Sequence, residues 1–453
     1  MLRAALFAAG MVLSSCAPSG QPVATRATVA DVSAALPAAR RFTGPPTLDP
    51  VLPGNGQLAR DFMALTFQLE TGRAVPLFTR FEGPVTVAVE GDAPATLDAD
   101  LDDLLDRLRR EARIDIRRAA PGEMGAITIS ALPRAQLQRA VPGAACFVVP
   151  RVSGWQDYLA NRIGPTTDWT TLETRTRASV FLPSDVSAQE IRDCLHEEVA
   201  QALGPLNDLH RLAHSIFNDD NVHVVLTAFD MAILRATYDP ALRSGMTQAQ
   251  VAAALPAVLA RTNPAGRRAD TGPVPESDPA WKAAIAQALS PDGSDRARLD
   301  QARRAVALAK GAGWTDERVA FSLLAQGRAA LALDGDLAVA SFLDAAAIYK
   351  DLTGDGIHSA QVALQLGAFA VSSGRPDAAL ALLDRAIPAA DGAQNAALLS
   401  TLLLLRAEAT RMQGAPAEAD RIRREGLAWG RYAWGDRVLA RRAAEVAALS
   451  PGA

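Results

Sequence analysis

The segment that decides the fold of this chain is residues 194–208, which read CLHEEVAQALGPLND. Its apolar residues recur at positions 195, 199, 202 and 203, a spacing that predicts an α-helix with one buried side. Glu197 and Gln201 are four residues apart and therefore project from the same face of that helix. Gly204 ends the helix, and Asn207 follows the glycine turn, where its side chain can fold back towards that face.

This arrangement of polar residues resembles the zinc site of metzincin metalloproteases, in which a helix supplies two histidines and a glutamate and a third histidine follows a glycine turn. In that alignment Glu197 stands at the first histidine, Glu198 at the general base and Gln201 at the second histidine. Asn207 and Asp208 stand at the third histidine and at the residue after it. The resemblance implies a zincin-like fold.

Residues further along the chain extend the resemblance. Ser215-Ile216-Phe217 lies where zincins often have a methionine turn, and a closing helix is expected from about Thr227 to Tyr238. Thr227 and Asp230 have the spacing of a capping box at the start of a helix. Residues 55 to about 250 also resemble an uncharacterised bacterial family with the pattern Cys-Leu-x-Glu-Glu-x-x-Gln-x-Leu-Gly-x-x-Asn-Asp, and this resemblance implies no established activity.

The zinc ligands themselves are missing from the motif. His196-Glu197 begins a His-Glu-x-x-His pattern, but Ala200 stands at its last position. Zinc prefers imidazole and thiolate ligands, whereas this motif offers one carboxylate and two amides. Without zinc no bound water is activated for Glu198 to deprotonate. We therefore expect no resident metal and no other cofactor.

Three interpretations of the motif stay open. Its polar residues form a hydrogen-bonded network, or bind a peptide or other ligand, or catalyse an unfamiliar hydrolysis. Glu198 is the candidate catalytic residue, and the residual site comprises Glu197, Gln201, Asn207 and Asp208. The sequence favours a catalytically degenerate metalloprotease-like domain that acts as a binding or scaffold protein. The alternative is a divergent, peptidase-like envelope hydrolase that uses Glu197 and Glu198 with an atypical metal or none.

Other polar clusters favour structural roles. His210 and His214 are four residues apart and, with His223, could build a site, but such a histidine pair is more often packed than metal-bound. Residues 218–221 read NDDN and lack the alternating ligands and closing glutamate of a calcium loop, so we expect a solvated turn there.

The first sixteen residues have the pattern of a secretory signal peptide. Arg3 precedes an apolar run at residues 4–13, which is too short to span a bilayer. Residues 13–16, LSSC, resemble the lipobox of bacterial lipoproteins, which implies that Cys16 carries lipid and anchors the chain in the cell envelope with its body facing the periplasm. Ala17 in place of aspartate favours the outer membrane.

Cysteine usage agrees with that compartment. The chain has three cysteines, so Cys146 and Cys194 are left as a pair once Cys16 is lipidated. In an oxidising compartment the pair predicts a disulfide bond, and two buried free thiols are the alternative.

Composition and local pattern define the layout. The chain has 453 residues, 49% of them hydrophobic, which is enough for two cores, and its net charge of -4 with no basic run excludes nucleic acid as a partner. We predict a flexible tether at 17–48, an α+β zincin-like domain at 49–262 and a linker at 263–280. An all-α, tetratricopeptide-like repeat domain follows at 281–450. The mixed domain has predicted strands near 81–89, 127–129, 146–149 and 178–182 and a helix at 98–112.

The last part of the chain is repetitive. Glycines recur at spacings of 39 and 40 residues, with small residues five and twelve positions after each: Gly335, Ala340 and Ala347; Gly374, Ala379 and Ala386; Gly414, Ala419 and Gly426. Pro376 and Pro416 fit the first turns of new helices. The pattern resembles tetratricopeptide helix pairs, although the usual period is about 34 residues. We expect a concave face that binds a protein or peptide partner; a plain alanine-rich bundle is the alternative.

Overall fold

The computed structural model of the protein describes residues 36–47, 52–218, 220–270 and 272–451. The predicted signal peptide, the lipidated Cys16 and residues 17–35 of the predicted tether lie outside the described residues. The predicted fold class is confirmed: a domain with a mixed sheet is followed by an all-helical region.

Five strands form one sheet in the first half of the chain. They are β1 (Val85–Gly91), β2 (Ile116–Arg118), β3 (Ile127–Leu132), β4 (Phe147–Pro150) and β5 (Ala178–Pro183). Their order is β2-β1-β3-β5-β4, and all neighbours are parallel except β4, which is antiparallel to β5. Every residue of β5 is buried, as expected of an inner strand that is covered on both faces.

Seven helices accompany the sheet: α1 (Asn55–Thr66), α2 (Ala95–Glu111), α3 (Arg134–Ala140), α4 (Trp155–Asn161), α5 (Ala188–Leu203), α6 (Ala228–Thr237) and α7 (Gln248–Thr262). The four leucines predicted to share one face of α2, at 101, 104, 105 and 108, are at most 1% exposed. One hydrophobic core contains buried residues of the sheet and of α1, α2, α5, α6 and α7.

The helical region contains eight helices among the described residues: α8 (Pro279–Leu289), α9 (Asp295–Gly311), α10 (Glu317–Ala330), α11 (Gly335–Thr353), α12 (Ile357–Ser372), α13 (Pro376–Gly392), α14 (Ala396–Met412) and α15 (Pro416–Ala447). Each helix packs against the next one in the chain. Gly435, with φ 69°, bends α15. Within the described part of the chain, no helix has the length and apolar character needed to cross a membrane.

Two of the three glycines in the predicted repeat lie in turns between helices. Gly374 and Gly414 follow the ends of α12 and α14 with φ of 70° and 82°, a backbone conformation that glycine adopts without strain. Pro376 and Pro416 begin the next helices, as predicted.

The first unit of the repeat was wrongly aligned. Gly335 is the first residue of α11, so it corresponds to Pro376 and not to Gly374. As a consequence, Ala340 and Ala347 are exposed, and the buried small residues of α11 are Ala338 and Ala345. Sequence spacing does not distinguish a glycine that ends one helix from a glycine that begins the next, which explains the error.

The two parts of the chain are docked against each other. Residues 36–47, predicted to belong to a flexible tether, pack on the helical region: Phe42 is 7% exposed and stacks on Trp429 with ring centroids 4.2 Å apart. The predicted linker also contacts α1, because Asp270 forms an ion pair with Arg60 at 2.6 Å. The Pro- and Ala-rich composition of this segment suggested a tether, but the buried ring of Phe42 holds residues 36–47 against the helical region.

Candidate functional site

The candidate site lies on α5, which packs against β4 and β5. The helix begins at Ser187, whose side chain accepts a hydrogen bond from the backbone nitrogen of Glu190 at 3.2 Å. It ends at Gly204, as predicted, and the chain then returns towards α1, where the backbone nitrogen of Leu206 donates to the carbonyl oxygen of Leu65 at 2.8 Å. These contacts fix both ends of the helix that carries the motif.

A buried arginine from outside the motif caps this helix. Nη1 of Arg175 donates to the carbonyl oxygens of Gln201 at 2.6 Å and Ala202 at 2.7 Å, and Nη2 donates to that of Gly204 at 2.6 Å. The last carbonyls of a helix lack intrahelical partners and carry partial negative charge, so the guanidinium stabilises them. Burial lowers the pKa of Arg175 to about 10, which leaves it charged at neutral pH. Sequence reasoning missed this residue because nothing local distinguishes it from other arginines.

Four carboxyl groups gather at α5, and we call Asp193, Glu197, Glu198 and Asp208 the acid cluster. Within the described ranges, the one group of three residues with metal-binding atoms within 4.8 Å of one another comprises Cys146, Glu197 and Glu198. The sulfur of Cys146 is bonded to that of Cys194, with Cα atoms 5.9 Å apart, so the predicted disulfide is present. Because it is oxidised, Cys146 has no thiolate to offer a metal.

Burial governs the protonation of this cluster. Burial raises the pKa of Glu198 well above its usual range, and the nearby carboxylates of Glu197 and Asp208 raise it further. Burial also raises the pKa of Asp193 well above its usual range, although the charge of Arg192 opposes this effect. Both shifts favour the protonated, neutral form of these two carboxyl groups.

The structure brings only part of the predicted site together. Glu197, Glu198 and Asp208 adjoin one another, whereas the side-chain nitrogen of Asn207 donates to the carbonyl oxygen of Ala64 in α1 at 3.1 Å. Gln201 is 7% exposed, and its carbonyl oxygen is bonded to Arg175. Asn207 thus holds the turn against α1, in agreement with the hydrogen-bonded-network interpretation for that residue.

These donors do not fit zinc. The three positions equivalent to zinc ligands provide a half-buried carboxylate, an amide and a second amide whose nitrogen is already bonded to a main-chain oxygen. A zinc site needs imidazole nitrogen or thiolate sulfur, and amides are poor substitutes. No step of metal-assisted hydrolysis therefore follows from this arrangement.

A small cavity adjoins the acid cluster. Its volume is about 70 Å³, and it is lined by Asp193, Glu197, Asp208, Ile216, Asn218, Asn221, His223 and Val224. Ligand sites for peptides and similar molecules usually occupy roughly 300–1,000 Å³. The cavity therefore admits an ion or a few water molecules, and no peptide.

The histidines serve as packing groups. Nδ1 of the buried His196 accepts a hydrogen bond from the backbone nitrogen of Leu226 at 3.2 Å. His210, His214 and His223 each contact a different helix of the helical region, although His214 and His223 also interact electrostatically with each other and with His358. Their contacts are Trp281 at 5.1 Å between rings, Glu317 at 4.0 Å and His358 at 5.6 Å between rings, respectively.

The segment predicted to be a solvated turn lies instead at the junction with the helical region. Oδ2 of Asp220 is 3.4 Å from Nε2 of His358, and both side chains are at most 6% exposed. The carboxylate also accepts a hydrogen bond from the backbone nitrogen of Val222 at 3.0 Å. The polar composition of the segment misled the prediction for Asp220, because its partner His358 comes from a distant part of the chain.

The predicted capping box at the start of α6 is confirmed. Thr227 and Asp230 exchange the expected side-chain to backbone hydrogen bonds. Asp230 also accepts hydrogen bonds from the hydroxyl of Ser215 at 2.5 Å and the backbone nitrogen of Ile216 at 3.1 Å. Residues 215 and 216 are thereby fixed to the helix that follows them.

The fold and site together define a sheet domain with an acid cluster, docked on a helical region. Residues 55–257 match the family described as "Protein of unknown function (DUF2927)", so a domain of this family occupies that part of the chain. The match agrees with the resemblance to an uncharacterised family and carries no activity. The search of curated proteins found no match to the chain.

Proposed function

We propose that this chain is a lipid-anchored protein of the bacterial cell envelope, in which a catalytically degenerate zincin-like domain supports a helical region that binds a protein partner. The observation that carries the proposal is the state of Glu198, the residue at the general-base position. It is 5% exposed, burial raises its pKa well above the usual range, and its neighbours do not fit zinc. A carboxyl group whose protonated form is favoured, and which lacks an activated water, is poorly suited to act as a general base.

The size of the cavity supports the same conclusion. A peptidase must admit a peptide beside its general base, but the cavity next to the acid cluster has a volume of about 70 Å³. The helical region also packs beside this cavity, through contacts such as that between Asp220 and His358. Binding is therefore better placed on the helical region than in the degenerate site.

A groove on the helical region has the properties of a surface that receives one or two side chains of a partner protein. It has a volume of about 120 Å³, lies between α11, α12 and α13, and has an apolar floor that includes Ala360, Leu366 and Leu382. Lys350 and Arg385 stand exposed at its edge, and among the described residues neither side chain forms a hydrogen bond or ion pair. Asp355 contributes one opposing charge. These features suit a partner segment with an acidic residue beside an aliphatic one.

Lipid anchoring rests on the resemblance of residues 13–16 to a lipobox. Labelling cells with radioactive palmitate tests it. We expect label on the wild-type chain and none on Cys16→Ala, and label that persists in Cys16→Ala would contradict the anchor.

The binding function is tested with the Cys16→Ser chain, purified without chelator and used as bait in an envelope extract. Captured protein should be unchanged by Glu198→Gln and strongly reduced by Lys350→Gln combined with Arg385→Gln. Lys310→Gln, which removes an exposed cation outside the groove, is the matched control. Stoichiometric zinc in the purified chain, together with peptide hydrolysis that Glu198→Gln abolishes, would instead establish the divergent hydrolase.

A further inference from the structure

A second cavity lies at the junction between the sheet domain and the helical region. Its volume is about 170 Å³. Residues 211–215, from the segment between α5 and α6, line it together with Glu317, the first residue of α10. From the groups that face this cavity we propose that it binds a small aliphatic amine in the protonated, ammonium form.

Two hydrogen-bond acceptors face each other in this cavity without being bonded. Nε2 of His214 is 4.0 Å from Oε1 of Glu317, which is beyond hydrogen-bond distance. Among the described residues neither side chain forms a hydrogen bond, and both are partly exposed. A nitrogen about 2.9 Å from each acceptor fits between them. An ammonium group supplies that nitrogen with three N–H donors.

The charges around the cavity favour a cation. Arg211 is 3% exposed, but its guanidinium is already paired with the buried carboxylate of Asp61 and with Glu276. The carboxylate of Glu317 is therefore left without a full counter-charge. Burial lowers the pKa of His214, although the charge of Glu317 opposes this effect, and the neutral imidazole that results has a nitrogen lone pair to accept a hydrogen bond.

The other walls and the volume determine the size of the ligand. Leu212, Phe229, Val274 and Pro53 give the cavity an apolar surface, which suits an alkyl chain. A water molecule occupies about 30 Å³ in the liquid, so a cavity of about 170 Å³ holds roughly six non-hydrogen atoms. An amine with an alkyl chain of about four carbons has this size.

Both acceptors are carried by backbone that other contacts hold in place. The hydroxyl of Thr227 donates to the carbonyl oxygen of His214 at 2.6 Å. Glu317 follows Asp316, which caps α10 by accepting a hydrogen bond from the backbone nitrogen of Arg318 at 3.1 Å. Acceptors that are fixed before binding reduce the entropy lost when the ligand binds. Because they come from the two parts of the chain, an amine between them also stabilises the docking of those parts. This site is separate from the groove on the helical region, and either can fail alone.

Isothermal titration calorimetry of butylammonium chloride into the Cys16→Ser chain tests the proposal. Phosphate buffer is used, because Tris is itself an amine. We expect one butylammonium ion per chain, with a dissociation constant of about 0.1–1 mM, which a ligand of this size can reach. Tetramethylammonium carries the charge without N–H donors, and butyrate combines an alkyl chain with the opposite charge. Each should bind at least tenfold more weakly than butylammonium.

Two variants test the acceptors themselves. Glu317→Gln removes the charge and keeps the size of the side chain, and it should weaken butylammonium binding at least tenfold. His214→Phe keeps a ring without the acceptor and should weaken binding at least threefold. Because neither side chain forms a hydrogen bond within the described residues, both variants should fold, with the circular dichroism of the parent chain. Glu173→Gln removes an exposed carboxylate away from the cavity and should bind butylammonium like the parent chain. Absence of butylammonium binding in the parent chain, unchanged binding in Glu317→Gln, or equally tight binding of tetramethylammonium or butyrate would each overturn the proposal.

Discussion

Tyr432 donates its phenolic hydroxyl to Oδ2 of Asp100 across 2.9 Å and so joins α15 of the helical region to α2 of the sheet domain. Asp100 is 1% exposed, and its second oxygen lies 3.4 Å from Nη1 of Arg41. Burial raises the pKa of Asp100, and the hydrogen bond from Tyr432 partly opposes that rise. Because Asp100 is buried and its two partners come from distant segments, these contacts stabilise the docking of both segments on α2.

Replacing Tyr432 with phenylalanine should therefore destabilise the chain by about 1–3 kcal/mol, because a buried oxygen loses its donor. Urea unfolding of the parent chain and of the variant measures the difference. Tyr349→Phe is the matched control, since that buried ring stacks on His358 at 5.2 Å and its hydroxyl has no hydrogen bond within the described residues. Equal losses in the two variants would show that the bond between Tyr432 and Asp100 contributes nothing specific.

The cap on α5 leads to a second prediction. Arg175→Lys keeps the charge but carries its donors on one nitrogen, so it cannot reach the three carbonyl oxygens in the way that Nη1 and Nη2 of arginine do. We expect a loss of at least about 3 kcal/mol in the free energy of unfolding, since hydrogen bonds to charged groups contribute roughly 1.5–3 kcal/mol each. Thermal unfolding measures it. Arg177→Lys, at an exposed arginine that donates one bond to Ser153, should cost far less. If Arg175→Lys lowers the free energy of unfolding as little as the control does, Arg175 does not stabilise α5 by capping it.

Local pattern was sufficient for much of the fold. The leucine spacing in α2 and the capping residues Thr227 and Asp230 depend on neighbours within a few positions, so the sequence predicts them correctly. The strands predicted near 81–89 and 127–129 are likewise present, as β1 and β3. The motif also identified three carboxyl groups that do lie together, those of Glu197, Glu198 and Asp208.

The contacts that the sequence did not predict are formed between residues far apart in the chain. Arg175 acts on a helix more than ten residues further along, and Asp220 meets a histidine in another part of the chain, so neither has a local signal. Asn207 was placed near the acid cluster by analogy, but the carbonyl of Ala64 holds its amide elsewhere. At these positions, hydrogen bonds between segments far apart in sequence determine where the side chain lies, and local sequence pattern does not reveal them.

The disulfide fixes the acid cluster to the edge of the sheet, because Cys194 belongs to α5 and Cys146 immediately precedes β4. The two cysteines are 48 residues apart, and closing a loop of that length in the unfolded chain stabilises the native state by about 4 kcal/mol. The Cys146→Ser and Cys194→Ser double variant should lose about that amount in urea unfolding. The parent chain in reducing agent should lose a similar amount, and a double variant as stable as the oxidised parent would contradict this role.

Acidification should weaken the junction between the sheet domain and the helical region through His223. Burial lowers the pKa of His223 to about 3; the positive charge of His358 adds to the effect and the carboxylate of Asp220 opposes it. His214 is a further neighbour, and burial lowers its pKa as well. Because the unfolded chain binds a proton near pH 6.5 and the folded chain does not, the stability present above pH 6.5 is lost as the pH falls towards 3.

For His223 alone, the loss between pH 7.5 and pH 5.0 amounts to about 2 kcal/mol. Glutamine at this position can still donate to the carbonyl oxygen of Ala213, which lies 3.1 Å from Nε2 of the histidine, but it does not titrate. Urea unfolding at both pH values should therefore show a smaller acid loss for His223→Gln than for the parent chain, by about 2 kcal/mol. Some loss should remain, since burial also lowers the pKa of His196 well below its usual range. An identical acid loss in variant and parent would mean that His223 is accessible to protons in the folded state.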